Sequence, residues 1–191
     1  MPSGLESDDN YWNDNQERLL KGWSEKARCY SWMHLRSSKY YRKLNYLFTI
    51  PAILLSAMSG SANFMVSGSG SSYEMTVTLG CINLFTAMLM SVNQFLKLPE
   101  YTDRHKTAGS GFGKFLRNIN TQLALDIEDR EPGVQFVNVC QKDFDTLVEQ
   151  SPHIPDEIIT AFKKEFSHSD LEMPDIVNMS EEEQPRISVH I

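Results

Sequence analysis

The residues with the strongest claim to chemistry are a glycine run, five histidines and three cysteines. Gly109, Ser110, Gly111, Phe112, Gly113 and Lys114 imitate a loop whose backbone N–H groups cradle phosphate. Such a loop needs a strand before it, a Ser or Thr after its lysine and a magnesium-binding acid downstream. Here Phe115 follows Lys114, no strand-period run precedes, and nothing downstream supplies a catalytic set. The run reads instead as a flexible joint or a point of close packing. His34, His105, His153, His168 and His190 lack metal-ligand spacing, and each reads as a surface or interfacial side chain. Cys29, Cys81 and Cys140 are odd in number and far apart, which points to reduced thiols in a cytoplasm-facing protein, with Cys29 a candidate for lipidation. No nucleophile, base and orienting group can be assembled. The expectation is no enzymatic activity, no cofactor and no metal.

The remaining polar residues of interest sit in an apolar setting. From Leu44 to Leu96 the chain carries one charged side chain, Glu74. Leu44 to Phe64 is 21 residues, about 31 Å as a helix, which matches a bilayer hydrocarbon core of about 30 Å. Val77 to Leu98 is a second stretch, of 22 residues, interrupted only by Lys97 beside its end. Ser67 to Ser72 form a Gly/Ser turn between them, and Tyr73 and Glu74 suit a membrane interface. The pattern predicts a transmembrane hairpin over 44–98, with spans at 44–64 and 77–98 joined by a loop at 65–76. A buried helical hairpin in a soluble protein is the alternative, and two stretches this empty of charge argue against it.

Within the spans, Pro51 removes one backbone donor and is expected to bend the helix. Ser56 with Gly60, and Ala57 with Ser61, form small-xxx-small pairs; Gly80, Asn83, Ala87 and Ser91 recur at helical spacing on the second span. The two small faces are expected to meet. Asn83, Asn93 and Gln94 should each bond to the sister helix or another copy, or else line a pore.

Charge then fixes sidedness. Arg36, Lys39, Arg42 and Lys43 precede the first span and Lys97, Arg104 and Lys106 attend the end of the second, whereas the loop between has no basic residue. Both termini are therefore expected on the cytoplasmic side. A cleavable leader is not expected, because the first 43 residues are polar and the first 17 carry five acids and no base. The net charge of -7 is a sum of opposed segments, basic beside the spans and acidic at both ends. Topology and lipid account for the basic stretches, so no nucleic-acid partner is expected.

The flanks read as helices, making the chain all-α. Leu19, Leu20, Trp23, Ala27, Tyr30, His34, Ser37 and Tyr41 form an amphipathic, basic stripe over 16–43, which either lies on an anionic leaflet or stands as a stalk. Residues 99–166 form a helical extramembrane region. In it Pro99 ends the second span, and Phe112, Phe115, Leu116, Ile119, Leu123 and Ile127 mark one helix. Val134 to Gln150 form another, and Asp156 can cap a short last one to Phe166. Residues 1–15 read as an acidic arm and 167–191 as an acidic tail, low in apolar content and ordered only on a partner.

Several runs resemble the SLATT family of two-transmembrane proteins. They are Leu20-Lys21-Gly22-Trp23 with Glu25-Lys26-Ala27 and Tyr30, then Tyr40-Tyr41 leading into Ile50-Pro51-Ala52-Ile53 and Ser59-Gly60-Ser61-Ala62-Asn63-Phe64. Further matches are His105-Lys106, Ile119 with Leu123, Arg130, Gln141-Lys142-Asp143-Phe144-Asp145 and Ser151-Pro152-His153-Ile154-Pro155. The chain looks closest to versions carried by large double-stranded DNA viruses with a membrane inside the capsid. The hairpin, the small-residue faces and the charged extramembrane helices with their acidic arms make lipid, further copies of the chain and a protein layer the expected partners of a membrane scaffold; the resemblance implies that the layer is a viral capsid and the chain a minor capsid or inner-membrane protein with its termini facing it. For bacterial members it implies a pore-forming effector downstream of nucleotide signalling.

Overall fold

The computed structural model describes residues 12–68, 73–167 and 172–178. Among them every regular element is helical: α1 Asp14–Gly68, α2 Tyr73–Phe95, α3 Leu98–Ala124, a 3₁₀ turn Ile127–Asp129, α4 Gly133–Gln150, α5 Asp156–Glu165 and α6 Asp175–Asn178. The chain divides into two compact units, one of Ser38–Asp103 and the other of the residues up to Ser37 together with those from Arg104 onward. Residues 1–11 of the expected arm, 69–72 of the expected loop, and 168–171 and 179–191 of the expected tail lie outside the described residues.

The Ser38–Asp103 unit is a helical hairpin. Pro51 sits inside α1, and α2 stops at Phe95, short of the expected end of the second span. Lys97 stops it by adopting a left-handed backbone, φ 49°, after which Leu98 opens α3. Pro99 thus belongs to the first turn of the next helix, where its missing N–H has no bond to lose.

The other unit is a helical bundle. Asn13 and Gln16 start α1 reciprocally: the Gln16 N–H donates to Asn13 Oδ1 at 2.8 Å and the Asn13 N–H to Gln16 Oε1 at 3.1 Å, a capping box. Leu20 and Ala27 of α1 then bury against Phe112, Phe115 and Ile119 of α3 and Phe136 and Cys140 of α4. Residues of the expected stripe are buried in this core, although Leu19 stays exposed, and the helix that carries them is α1, unbroken to Gly68. Residues 12–15 are likewise no loose arm, since Trp12 packs on that core.

The glycine run is helical and forms a close contact. A Cβ on Gly109 would lie 2.9 Å from Leu35 Cγ and 3.2 Å from the Leu35 backbone nitrogen, and one on Gly111 would lie 2.7 Å from Leu147 Cδ2. Ser31 Oγ donates to the Gly109 carbonyl at 2.8 Å across the same contact. α3 ends at Ala124, three residues before the expected Ile127, because Arg130 terminates it. Its guanidinium donates to the Leu125 and Leu123 carbonyls at 2.9 and 3.0 Å and to Glu17 Oε1 at 2.6 Å, and lies 4.9 Å from the Trp12 ring centre.

A second cluster joins Trp32 to Phe162 and Phe166, at ring separations of 5.5 and 5.6 Å. Pro155, not Asp156, occupies the cap of α5 and offers no side-chain bond. Part of the expected tail also belongs to the fold. Pro174 and Val177 are buried, Glu172 pairs with Lys26 at 3.3 Å, and the Glu172 N–H donates to Glu25 Oε2 at 2.8 Å.

Gly109→Ala should lower the thermal unfolding midpoint in detergent, by about 1–3 kcal/mol of stability, because overpacking outweighs the helix propensity gained. Gly60→Ala, with nothing within 4 Å of the added carbon, should leave the midpoint unchanged or raise it. Equal shifts would contradict the close contact.

Candidate functional site

The hairpin is held by polar groups that face each other. Ser59 Oγ of α1 donates to Asn83 Oδ1 of α2 at 2.6 Å. Nearly three turns along α2, Asn93 Nδ2 donates to Asn45 Oδ1 and Thr49 Oγ1, both at 3.0 Å, and Thr49 Oγ1 donates to Asn45 Oδ1 at 3.2 Å. Ala52 and Ser59 of α1 and Leu79, Thr86 and Asn93 of α2 are the buried residues of this seam. The small faces read from the sequence do not meet. Ser56, Gly60, Gly80, Ala87 and Ser91 are all exposed, and of the expected set only Asn83 joins the seam. The reason is that the facing side chains must satisfy one another, and Ser59 with Asn83 does this where two glycines would bond nothing.

The outer faces of the hairpin are apolar and large. Leu47, Met58, Leu84 and Phe95 are 66%, 69%, 71% and 83% exposed. Hydroxyls on those faces turn back to their own helices: Ser61 donates to the Ala57 carbonyl, Thr78 to Glu74 and Ser91 to Ala87, at 2.8–2.9 Å. Such bonds leave no hydroxyl proton in need of water. Both α1 and α2 lie in helices long and apolar enough to cross a membrane, and 11% of the apolar window of each is buried.

One end of the unit carries a basic and aromatic collar. Lys39, Arg42, Lys43 and Lys97 are exposed. Beside them the Tyr40 and Tyr41 rings lie 5.4 Å apart, and Tyr41 stacks on Tyr101 at 5.3 Å. Arg36 differs from the other expected basic residues: it belongs to the bundle unit, and its guanidinium lies 5.7 Å from the Trp32 ring centre. The tyrosines were the missed part of this site. Their signal was present, since Tyr40, Tyr41, Tyr46 and Tyr101 flank the ends of the apolar stretches, where aromatic belts form.

The groups first examined for chemistry take structural places. Among the described residues no three His, Cys, Asp or Glu side chains could hold a metal. Cys29 and Cys140 are buried, and burial pushes their thiols up to about 11 and about 12, so Cys29 is not presented for lipidation. His34 and His105, expected at a surface or interface, are instead buried together in the bundle with their Nδ1 atoms 2.9 Å apart. One Nδ1 must donate and the other accept, so the two rings hold opposite tautomers. Phe112 stacks on His34 at 5.7 Å. Burial, then the His105 charge, pushes His34 down to about 3; burial, then Arg104 and His153, pushes His105 down to about 4.

No protein-family model, curated protein or solved structure matches this chain.

The histidine pair sets a pH dependence. Above the ordinary value near 6.5 both rings are neutral in either state, and the fold keeps its full stability. As pH falls from about 6.5 toward the folded values of about 4 and about 3, only the unfolded chain takes up protons, and each histidine removes up to about 1.4 kcal/mol per pH unit. Denaturant titrations at pH 7 and pH 5 should show this loss. The double variant His34→Leu/His105→Leu should flatten it; an unchanged slope would place the pH dependence elsewhere.

Proposed function

We propose that this chain is an integral membrane scaffold without enzymatic activity. In this reading the Ser38–Asp103 hairpin anchors it in a bilayer, and the helical bundle docks on a protein assembly on the cytoplasmic side. The observation that carries the reading is the near-complete exposure of the hairpin's apolar windows, 11% buried. The core helix of a soluble protein would bury most of such a window, whereas an anchor leaves it for lipid. The bundle, by contrast, closes a core of its own. A unit that needs no lipid is suited to meeting proteins.

Two further observations support the placement. The collar of Lys39, Arg42, Lys43 and Lys97 with its tyrosines has the composition of a cytoplasmic membrane interface. The outward small residues Ser56, Gly60, Gly80, Ala87 and Ser91 leave room for the close approach of another copy. The resemblance to SLATT proteins of large DNA viruses extends the proposal to a setting, a membrane beneath a capsid whose shell is the docking partner.

The other reading is an oligomeric pore. Its polar candidates are largely committed elsewhere, because Asn83 bonds Ser59 and Asn93 bonds Asn45 and Thr49. That favours the scaffold.

Reconstitution into vesicles tests both readings. A thiol label on Ser71→Cys should react only from the side opposite the termini, and the vesicles should hold their ion gradients. Labelling from the terminal side would overturn the anchor. A leak abolished by Asn83→Leu, with assembly retained, would overturn the scaffold in favour of the pore.

A further inference from the structure

Within the hairpin unit, α1 turns one continuous face away from α2. Lys39, Lys43, Tyr46, Ile50 and Leu54 recur at steps of three or four residues, so they share that face. Arg42 stands at its edge, and all six are exposed. Ala52 and Ser59, buried in the seam with α2, lie on the other side of the helix. Polarity changes along the face in one direction, from cations through a tyrosine to branched apolar side chains. The cations lack counter-ions: the chain has no acidic residue between Glu25 and Glu74, and none of the three makes an ion pair among the described residues. α2 differs. It has no basic residue, and Lys97 beyond its end pairs with Glu100 at 3.9 Å.

The spacing along this face fits one lipid molecule. Lys43 and Leu54 are separated by about 16 Å of helix, close to one leaflet's share, about 15 Å, of a bilayer hydrocarbon core. Tyr46 stands about 4.5 Å inside Lys43, where an amphipathic ring suits the boundary between headgroups and chains. We propose that this face of α1 binds an anionic phospholipid of the leaflet beside the collar, with the phosphate against Lys39, Arg42 and Lys43 and one acyl chain along Ile50 and Leu54. The long basic side chains lie along the helix while their charged ends meet the phosphate. A zwitterionic headgroup brings its own cation beside the phosphate and loses most of that attraction. The selectivity therefore belongs to α1 and not to α2. This site rests on the membrane reading and goes beyond it: an anchor requires only an apolar surface, whereas this face requires a lipid of net negative charge.

Photocrosslinking in vesicles of equimolar phosphatidylglycerol and phosphatidylcholine tests it. A benzophenone probe takes the place of Leu54 or, as the control, of Met88 on α2; the two positions are 58% and 62% exposed. The Asn93–Thr49 and Asn83–Ser59 bonds set Met88 level with Leu54, so both probes report acyl chains, which a free phosphate ester lacks. Mass spectrometry of the adducts counts the two lipids. Leu54 adducts should favour phosphatidylglycerol at least about five-fold, the factor that one base near a membrane surface supplies, and Met88 adducts should follow the bulk composition. Lys39→Gln/Arg42→Gln/Lys43→Gln should bring the Leu54 ratio down to that of Met88. Lys142→Gln/Lys163→Gln/Lys164→Gln, which removes the same charge from the bundle, should leave it unchanged. In about 1 M salt, where the screening length falls to about 3 Å, the Leu54 ratio of the otherwise unaltered chain should also fall. Equal ratios at the two positions, a Leu54 ratio that survives the triple substitution on α1, or one unmoved by salt overturns the site and leaves the anchor standing. Absence of lipid adducts at both positions overturns the anchor and the site together.

Discussion

In the proposed membrane reading the hairpin depends on one constraint: a helix pair that presents leucine, methionine and phenylalanine to lipid has no water there for its polar side chains. Every hydrogen-bonding group must be matched within the pair or within its own helix. The Ser59–Asn83 bond and the Asn45, Thr49 and Asn93 cluster do the first, and the back-bonded Ser61, Thr78 and Ser91 do the second. The seam follows from these pairings. Ser56, Gly60, Gly80, Ala87 and Ser91 fall outside it and are exposed, open to a further helix. The Asn93 Oδ1, buried without a partner among the described residues, is the exception in this seam.

In the same reading the bundle obeys the opposite rule, with its surface open to water and its stability resting on its core. Aromatic rings fill that core, with Tyr30, Phe112, Phe115 and Phe144 in contact at 4.9–6.2 Å. Two devices set its geometry. The glycines of α3 allow α1 and α4 to approach closely, and Arg130 ties the end of α3 to Glu17 and Trp12 through one nearly buried guanidinium. The histidine pair adds a polar contact inside an aromatic wall, tolerable because burial keeps both rings neutral.

The all-helical character and the two long apolar helices were legible in the sequence, because periodicity and absence of charge are properties of runs of residues. Details that depend on a single partner were not. His34 and His105 are 71 residues apart, and nothing in their spacing could reveal a shared proton. Arg130 entered the sequence reading only as a point of resemblance, since its three acceptors lie on α1 and at the end of α3. The small faces misled because size at helical spacing is visible while hydrogen-bond matching across two helices is not. In the acidic C-terminal segment, Pro174 and Val177 were hidden by the composition around them, and an average over acids cannot show two buried apolar side chains.

In the proposed membrane reading, different solvents cover the exposed apolar residues of the two units. Leu84 of the hairpin is 71% exposed and Val139 of the bundle 54%, so by exposure alone they are alike. In a Cys81→Ala background reconstituted in lipid vesicles, spin labels at Leu84→Cys and Val139→Cys measure which solvent each one meets. The Leu84 site should collide with dissolved oxygen in preference to a water-soluble nickel chelate, and the Val139 site should show the reverse. Equal access of the chelate to both sites would contradict it.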